Sequence, residues 1–98
     1  MSATFEWDNK KAKANHKKHK IAFEEGATIF NDPFIADMSD PDHSETEPRQ
    51  IAMGHSVKKR LLVVIYTERN DNIRIISCRK ATSSERKIYE EDKNENTQ

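Results

Sequence analysis

Cysteine and long apolar runs are both scarce in this sequence. Cys78 is the only cysteine among the 98 residues, and it falls inside a predicted strand. A lone cysteine excludes a disulfide framework and favours a reducing compartment, so we expect a cytoplasmic protein. The longest apolar run, residues 61–66, is far shorter than the roughly 20 residues of a membrane-spanning helix. The N-terminus also lacks the apolar segment of a signal peptide, so we expect no association with a membrane.

Net charge is absent as well, because 17 basic and 17 acidic side chains cancel. The charges are nevertheless segregated along the chain. Residues 1–20 and 50–80 have net charges of +4 and +5, whereas residues 21–49 and 81–98 have −7 and −2. If the two basic segments share a surface, that surface could bind phosphates, and the acidic segments could bind a basic partner. The alternative is that each run is only a solvated face.

Two apolar runs separated by a turn organise the rest of the chain. Residues 61–67 and 73–78 are rich in β-branched and aromatic side chains, and residues 70–72 are turn formers, which predicts a β-hairpin. The first run is apolar on both faces and therefore predicts a central strand. Successive strand residues point to opposite faces, so Arg74 and Arg79 should face opposite sides unless a bulge intervenes.

Weaker patterns predict the other elements. Asp8 is a good N-cap for a helix over residues 9–19, and Phe23, Ala27 and Phe30 form the apolar stripe of a second helix. Thr82 and Glu85 form a capping box that begins a C-terminal helix. The remaining predictions are strands at residues 4–7, 34–38 and 50–55, a C-terminal helix ending near residue 92, a single domain over residues 1–92, and a disordered polar tail at residues 93–98.

Three histidines invite functional interpretations. His16 and His19 have helical i, i+3 spacing, but no cysteine or carboxylate lies near them at ligand spacing, so we predict no metal site and no cofactor. His43 lies in a polar loop over residues 40–48, where neighbouring carboxylates and hydroxyls could fix its tautomer for general-base chemistry. In a turn the same groups could instead bond only their own backbone.

The ordered motifs together resemble the BrnT-type toxins of bacterial type II toxin–antitoxin pairs. The similarity extends from residue 5 to residue 90. The matching residues are Phe5 to Asp8, Lys11, Asn15, Lys18, His19, Phe23 to Glu25, Asp32, Pro33, Asp40 to Glu45, Arg60, Val63, Tyr66 to Arg69, Ile73 to Ser77, Ala81, Thr82, Glu85, Arg86, Tyr89 and Glu90.

A few positions depart from the family pattern. Lys20 and Lys59 stand where glycine is expected, which questions the local turns because a side chain with a Cβ resists positive φ. Gly26 and Cys78 both stand where alanine is usual. Ala22 replaces a usual serine and Pro48 a common glutamate. None of these departures removes a residue to which we assign chemistry.

The resemblance implies a RelE-like α+β fold, with an antiparallel sheet of about four strands, two N-terminal helices packed on one face and a short C-terminal helix. It implies a ribonuclease that inhibits translation and arrests growth. It also implies a BrnA-type ribbon-helix-helix antitoxin, a heterotetramer with it, and contact with operator DNA only through that antitoxin. The main alternative is a catalytically inactive toxin fold that acts as a binding partner and co-repressor, and a third is a plain structural interaction domain.

Metal-independent RNA cleavage needs a phosphorane-stabilising cation and groups that transfer protons. Arg69, Arg74 and Arg79 are the candidates for the first task, since a guanidinium can bind two phosphate oxygens at once. The sequence leaves the proton-transfer groups open among the candidates Glu68, His19, His43 and Tyr89. The residues predicted to bind RNA are Lys11, Asn15, Lys18, Arg60 and Lys80.

Overall fold

The computed structural model describes residues 4–39 and 49–96. In chain order the elements are β1 (Thr4–Glu6), α1 (Asn9–His19), α2 (Phe23–Ala27), a 3₁₀ helix (Thr28–Asn31), β2 (Ala36–Ser39), β3 (Gln50–His55), β4 (Leu61–Arg69), β5 (Asn72–Lys80) and α3 (Ser83–Asn96). Within these ranges no helix is long and apolar enough to cross a membrane.

The predicted α+β fold is confirmed, with five strands where the family resemblance implied about four. The described strands form a single five-stranded sheet in the order β1-β5-β4-β3-β2. The pairs β2–β3, β3–β4 and β4–β5 are antiparallel, whereas β1 lies parallel to β5 at the edge. Phe5 anchors this short strand because its ring lies 5.4 Å from that of Phe30. The sheet is therefore mixed rather than wholly antiparallel.

The hairpin of β4 and β5 forms at the predicted place. Arg69 pairs with Asn72 across a two-residue turn, and Asn70 and Asp71 have φ values of 48° and 72°. Two positive φ values are what a type I′ turn requires, and its twist matches that of the flanking strands. Asn72 itself begins β5.

A β-bulge interrupts the pairing of β4 with β5. Ile65 pairs with Ser77, but the next residue, Tyr66, pairs with Ile75, so Ile76 is an extra residue in β5. The bulge reverses the alternation of side chains along β5 relative to an unbroken strand. It is the exception that the prediction for Arg74 and Arg79 allowed.

Each face of the sheet has its own apolar core. We call the face covered by α1 and α2 the helix face; its buried core is Ile21, Phe23, Ile29, Ala52, Leu62, Val64, Tyr66, Ile75 and Cys78. The opposite face is covered at one end by α3, where the core is Ala36, Met53, Leu61, Val63 and Tyr89. The two cores together explain why β4 is apolar on both faces: its even positions pack under α1 and α2 and its odd positions under α3.

The bounds of two helices differ from those predicted. The second helix is α-helical only through Ala27 and continues as a 3₁₀ turn to Asn31. The C-terminal helix runs to Asn96, so the prediction of a disordered tail from residue 93 was wrong for residues 93–96. Packing extends the helix, because the Lys93 ammonium lies 5.3 Å from the centre of the Phe34 ring. Residues 97 and 98 lie outside the described ranges.

The two lysines at expected glycine positions adopt the left-handed conformation. Lys20 and Lys59 have φ values of 62° and 64°. Lys20 ends α1, and its N–H donates to the carbonyl of His16 at 2.8 Å. Lys59 closes the turn before β4, where its N–H donates to Ser56. Both turns therefore form as a glycine would form them, at the energetic cost of a Cβ in this region.

Candidate functional site

The bulge in β5 places Arg74 and Arg79 on the same face of the sheet. Arg79 pairs with Val63 and Arg74 with Thr67, and odd positions of β4 share one face because β4 has no bulge. This is the face that α3 covers at one end, and we call it the arginine face. Both guanidinium groups remain accessible, since the side chains are 35% and 31% exposed.

Arg79 is held by a carboxylate from α3. Its Nη1 and Nη2 donate to the two oxygens of Glu85 at 2.7 and 2.8 Å, and Nη1 also donates to the carbonyl of Lys80 at 3.3 Å. The hydrogen bonds from Arg79 lower the pKa of Glu85 to about 2. The same carboxylate raises the pKa of Arg79. The pair is therefore ionised at any pH at which RNA is handled.

Arg74 has a carboxylate partner of its own at the other end of β5. Its Nη1 donates to Glu6 of β1 at 2.9 Å, and the Asn72 amide donates to the other Glu6 oxygen at 3.2 Å. Among the described residues Oε2 of Glu6 is the only acceptor for Arg74, so most of its five N–H groups are available. β1 thus supplies the group that orients Arg74.

Thr67 adds an unpaired hydroxyl to the arginine face. The residue is only 2% exposed, and its Oγ1 has no hydrogen-bond partner within the described structure. Buried hydroxyls are nearly always paired, because an unmade hydrogen bond costs about 1–3 kcal/mol. Thr67 pairs with Arg74 in the sheet, so its unpaired hydroxyl lies beside the strand that carries this guanidinium group.

The hairpin end separates two of the predicted catalytic residues. Arg69 lies on the arginine face at the exposed end of β4. Glu68 lies on the helix face, where its carboxylate accepts from the Gln50 amide at 3.0 Å, and Gln50 in turn accepts from Tyr66 at 3.1 Å. The structure therefore places Arg69 on the same face as Arg74 and Arg79 and leaves Glu68 on the other face of the sheet.

Asn15, predicted to bind RNA, joins α1 to β5 instead. Its amide donates to the carbonyls of Ile21 and Cys78 at 3.1 and 2.8 Å, and its oxygen accepts from the Cys78 N–H at 3.1 Å. The Asn15 side chain therefore bonds to the backbone of β5 and to the segment that follows α1. Little hydrogen-bonding capacity is left for a ligand.

Arg60 likewise has an internal partner. Its Nε donates to Glu25 at 2.8 Å and its Nη2 to the other Glu25 oxygen, while the Ser56 hydroxyl donates to the same carboxylate at 2.7 Å. The Glu25 side chain is only 5% exposed. Its pKa is lowered, chiefly by the hydrogen bond from Arg60. This pair binds α2 to the turn before β4.

Tyr89 anchors α3 to the rest of the protein. Its hydroxyl donates to Asp32 at 2.6 Å and lies 3.1 Å from Nδ1 of His55. A phenol has one hydrogen, so Nδ1 of His55 must be the donor in the second contact. Tyr89 is 1% exposed, and burial together with the Asp32 bond raises its pKa. Both features disfavour a role in proton transfer.

The other predicted residues do not gather at the arginine face. Lys11, Lys18 and the half-buried His19 lie on α1 at the helix face, and Lys80 pairs with Leu62 of that face. His43 lies outside the described residues. No group of three or more histidine, cysteine or acidic side chains lies close enough to bind a metal ion in residues 4–39 and 49–96.

Three residues of the arginine face are not among the site residues predicted from the sequence. Glu6 and Glu85 orient the arginines, and Thr67 provides the unpaired hydroxyl. Thr67 had a recognisable signal, since it is a polar residue at the end of an apolar strand. Glu85 was identified only as a helix cap. Glu6 had no signal, because its partner Arg74 is 68 residues away.

The fold and the arginine face together define a small α+β protein with a candidate phosphate-binding surface. A family model described as "Ribonuclease toxin, BrnT, of type II toxin-antitoxin system" matches residues 7–85. The chain therefore belongs to the BrnT family of ribonuclease toxins, as the resemblance of its motifs predicted. A comparison with curated proteins finds no match.

A solved structure supports the fold. The chain is similar to the Brucella abortus ribonuclease toxin BrnT, known from a crystal structure at 1.1 Å resolution. The two structures have a TM-score of 0.64 and 19% sequence identity, over 84% of this chain and 100% of that chain. The likeness at this level of identity establishes the shared fold, and the arguments about individual side chains rest on the contacts described above.

Proposed function

We propose that this chain is a metal-independent endoribonuclease whose substrate binds the arginine face, and that it inhibits translation and arrests growth in the cytoplasm. The observation that supports this most directly is the pair Arg74 and Arg79. Both lie on one face, both are half-exposed, and both keep N–H groups with no acceptor among the described residues. Two oriented guanidinium groups suit a ligand with several anionic oxygens.

The chemistry assigned to these groups is electrostatic. Attack of a ribose 2′-hydroxyl on the adjacent phosphate adds negative charge to the phosphorane, and guanidinium donors already in place stabilise that charge without reorganising. Arg79 is the better placed for this task because two contacts with Glu85 fix its plane. Arg74 and Arg69 then bind neighbouring phosphates. Of the candidates for proton transfer, Glu68, His19 and Tyr89 are disfavoured by their positions, and His43 remains a candidate.

The test is cleavage of a labelled single-stranded RNA by the purified chain in excess EDTA. Cleavage should persist, and R79A, checked for folding by circular dichroism, should cleave about 10²- to 10³-fold more slowly. A strict requirement for added magnesium would contradict the metal-independent mechanism. Absence of cleavage by the wild type, with antitoxin binding retained, would instead favour the catalytically inactive co-repressor.

The proposed partner is a BrnA-type ribbon-helix-helix antitoxin that forms a heterotetramer with the chain and alone contacts operator DNA. A groove between α1 and α2 supports an acidic, partly apolar partner segment. It has a volume of about 640 Å³, and its lining includes Trp7, Lys13, His16, Lys17 and Lys20. Lysines around an aromatic floor complement acidic and apolar side chains.

Hydrogen exchange with and without the antitoxin would locate its contacts. We expect protection on α1, which lines the groove, and on the hairpin of β4 and β5. Because the groove and the arginine face lie on opposite sides of the sheet, inhibition should compete with RNA only through antitoxin contacts that reach the hairpin. Protection confined to residues 37–47, with α1 and the hairpin unchanged, would exclude direct occlusion of the site.

A further inference from the structure

The Glu85 carboxylate accepts two sets of hydrogen bonds, one from the start of α3 and one from Arg79. As the cap of α3, its Oε1 accepts from the N–H of Thr82 at 2.8 Å, and its own N–H donates to the Thr82 hydroxyl at 3.2 Å. This is the reciprocal pattern of a capping box. Both oxygens of this carboxylate, Oε1 and Oε2, also accept from Arg79 at 2.7 and 2.8 Å. The first turn of α3 is thereby connected to a side chain of β5.

The contacts of Arg79 leave one edge of its guanidinium available. Glu85 takes one N–H from each of Nη1 and Nη2, and the Lys80 carbonyl takes the other N–H of Nη1. Of the five N–H groups of an arginine, Nε–H and the second Nη2–H have no acceptor in the described part of the chain. These two lie side by side on one edge of the planar group, the arrangement that binds two oxygens of one phosphate.

We propose that Glu85 is a positioning residue for RNA cleavage, which holds the Arg79 guanidinium so that this remaining edge faces the substrate phosphate. The inference rests on the proposed ribonuclease function. A flexible arginine at the surface loses rotamer freedom when it binds a ligand. Arg79 has already lost that freedom, because the helix cap fixes Glu85 and Glu85 fixes Arg79. Misplacement of such a group by about 1 Å can reduce a rate by about 10²-fold.

Two other roles for Glu85 predict different behaviour. If it served only as a helix cap, its loss would matter no more than the loss of Thr82. If it competed with RNA for Arg79, its removal would raise RNA affinity and activity. Glu85 also places a negative charge beside the site, which weakens the general attraction of phosphates. Orientation of Arg79 and competition for Arg79 therefore change activity in opposite directions.

The experiment compares E85A, E85Q and T82A in the full chain with a labelled single-stranded RNA. T82A removes the capping hydroxyl but keeps the backbone N–H that binds Glu85, so it is the matched control for loss of the cap. We expect T82A to lower Tm with kcat near the wild-type value. E85A should lower Tm similarly and reduce kcat by about 10- to 100-fold with little change in KM. E85Q should recover part of kcat, because glutamine also suits this cap position and can accept from Arg79.

Equal kcat values for E85A and T82A would overturn the proposal, and so would a gain of activity in E85A. A second measurement does not depend on cleavage. The Arg79 Nε–H resonance in a ¹⁵N-labelled sample should be resolved in the wild type and T82A, and broadened or averaged in E85A. An unchanged resonance in E85A would overturn the proposal whatever the RNA result. A wild type that cleaves no RNA would refute the ribonuclease function separately.

Discussion

Asn15 on the helix face and Arg79 on the arginine face were both predicted to contact RNA, yet their surroundings differ. Asn15 is bonded on both its amide and its oxygen, to Ile21 and Cys78. Arg79 is bonded to Glu85 and Lys80 and still has two N–H groups left. A polar side chain that stabilises the fold has its donors and acceptors hydrogen-bonded within the protein. Residual capacity on an exposed, oriented group is what distinguishes a candidate site residue.

The two faces as a whole differ in the same way. On the helix face, Glu68, Gln50 and Tyr66 bond one another, and Glu25 is paired with Arg60. The arginine face ends in half-exposed guanidinium groups and an unpaired hydroxyl. Within residues 4–39 and 49–96, two helices close the first face, whereas α3 covers only one end of the second. We therefore expect the functional site on the part of the arginine face that α3 does not cover.

Loss of Arg79 should have the largest effect on activity. R79A removes a cation that faces the developing negative charge, so we expect kcat/KM for RNA cleavage to fall by about 10²- to 10³-fold. Tm should also fall somewhat, because Glu85 loses the partner that lowers its pKa, so activity is compared at a temperature at which R79A is folded. R86A, an exposed arginine on α3, is the matched control and should keep its activity. A folded R79A with wild-type activity would remove Arg79 from the site.

Loss of Asn15 should show the opposite behaviour. N15A leaves a carbonyl and an N–H of Cys78 without partners, so we expect the free energy of unfolding to fall by about 2 kcal/mol. Urea denaturation measures this change. The kcat/KM of the folded protein should stay near the wild-type value, and K18A, on the exposed side of α1, should change neither quantity. If N15A reduced RNA affinity without loss of stability, the assignment of Asn15 to a structural role would be wrong.

The helix face also explains two departures from the family pattern together. A Cβ built on Gly26 would lie 2.8 Å from the Cys78 sulfur but 3.4 Å from its Cβ. Alanine at position 26 is therefore compatible with alanine at position 78 and clashes with cysteine there. The two departures compensate each other.

This coupling can be measured by a double-mutant cycle. G26A alone should destabilise the protein by about 1–2 kcal/mol, since overpacking outweighs the better helix propensity of alanine. Adding C78A should restore most of that loss, with a coupling energy of about 1–2 kcal/mol. Thermal or urea unfolding of the four proteins gives the result. Additive effects would mean that α2 moves to accommodate the extra methyl group.

The smallest expected effect is an acid dependence of α3. Glu85 has a pKa of about 2 in the folded protein against an ordinary value of 4.5. A lowered folded pKa stabilises the protein above the unfolded value, and that stabilisation is lost as pH falls through the folded one. The Tm difference between the wild type and E85Q should therefore be constant above about pH 5 and shrink towards pH 2. A constant difference over the whole range would contradict the pairing of Glu85 with Arg79.

Local patterns in the sequence determined most of the secondary structure. The apolar runs of β4 and β5, the Asn70 and Asp71 turn, the Asp8 cap and the capping box at Glu85 all formed as predicted. Each depends on residues within a few positions of one another, because strand alternation, turn conformation and capping are local properties. The family resemblance supplied the overall α+β arrangement in the same way, through ordered motifs.

Tertiary structure decided which polar residues are available for function. Only the register of β5 against β4 shows that the bulge at Ile76 brings Arg74 and Arg79 to one face. Asn15 meets Cys78 across 63 positions, and Tyr89 meets Asp32 across 57. The sequence does not distinguish a polar side chain that is available to a ligand from one that is hydrogen-bonded to another part of the same protein. The difference is set by which distant donor or acceptor the fold brings within hydrogen-bonding distance.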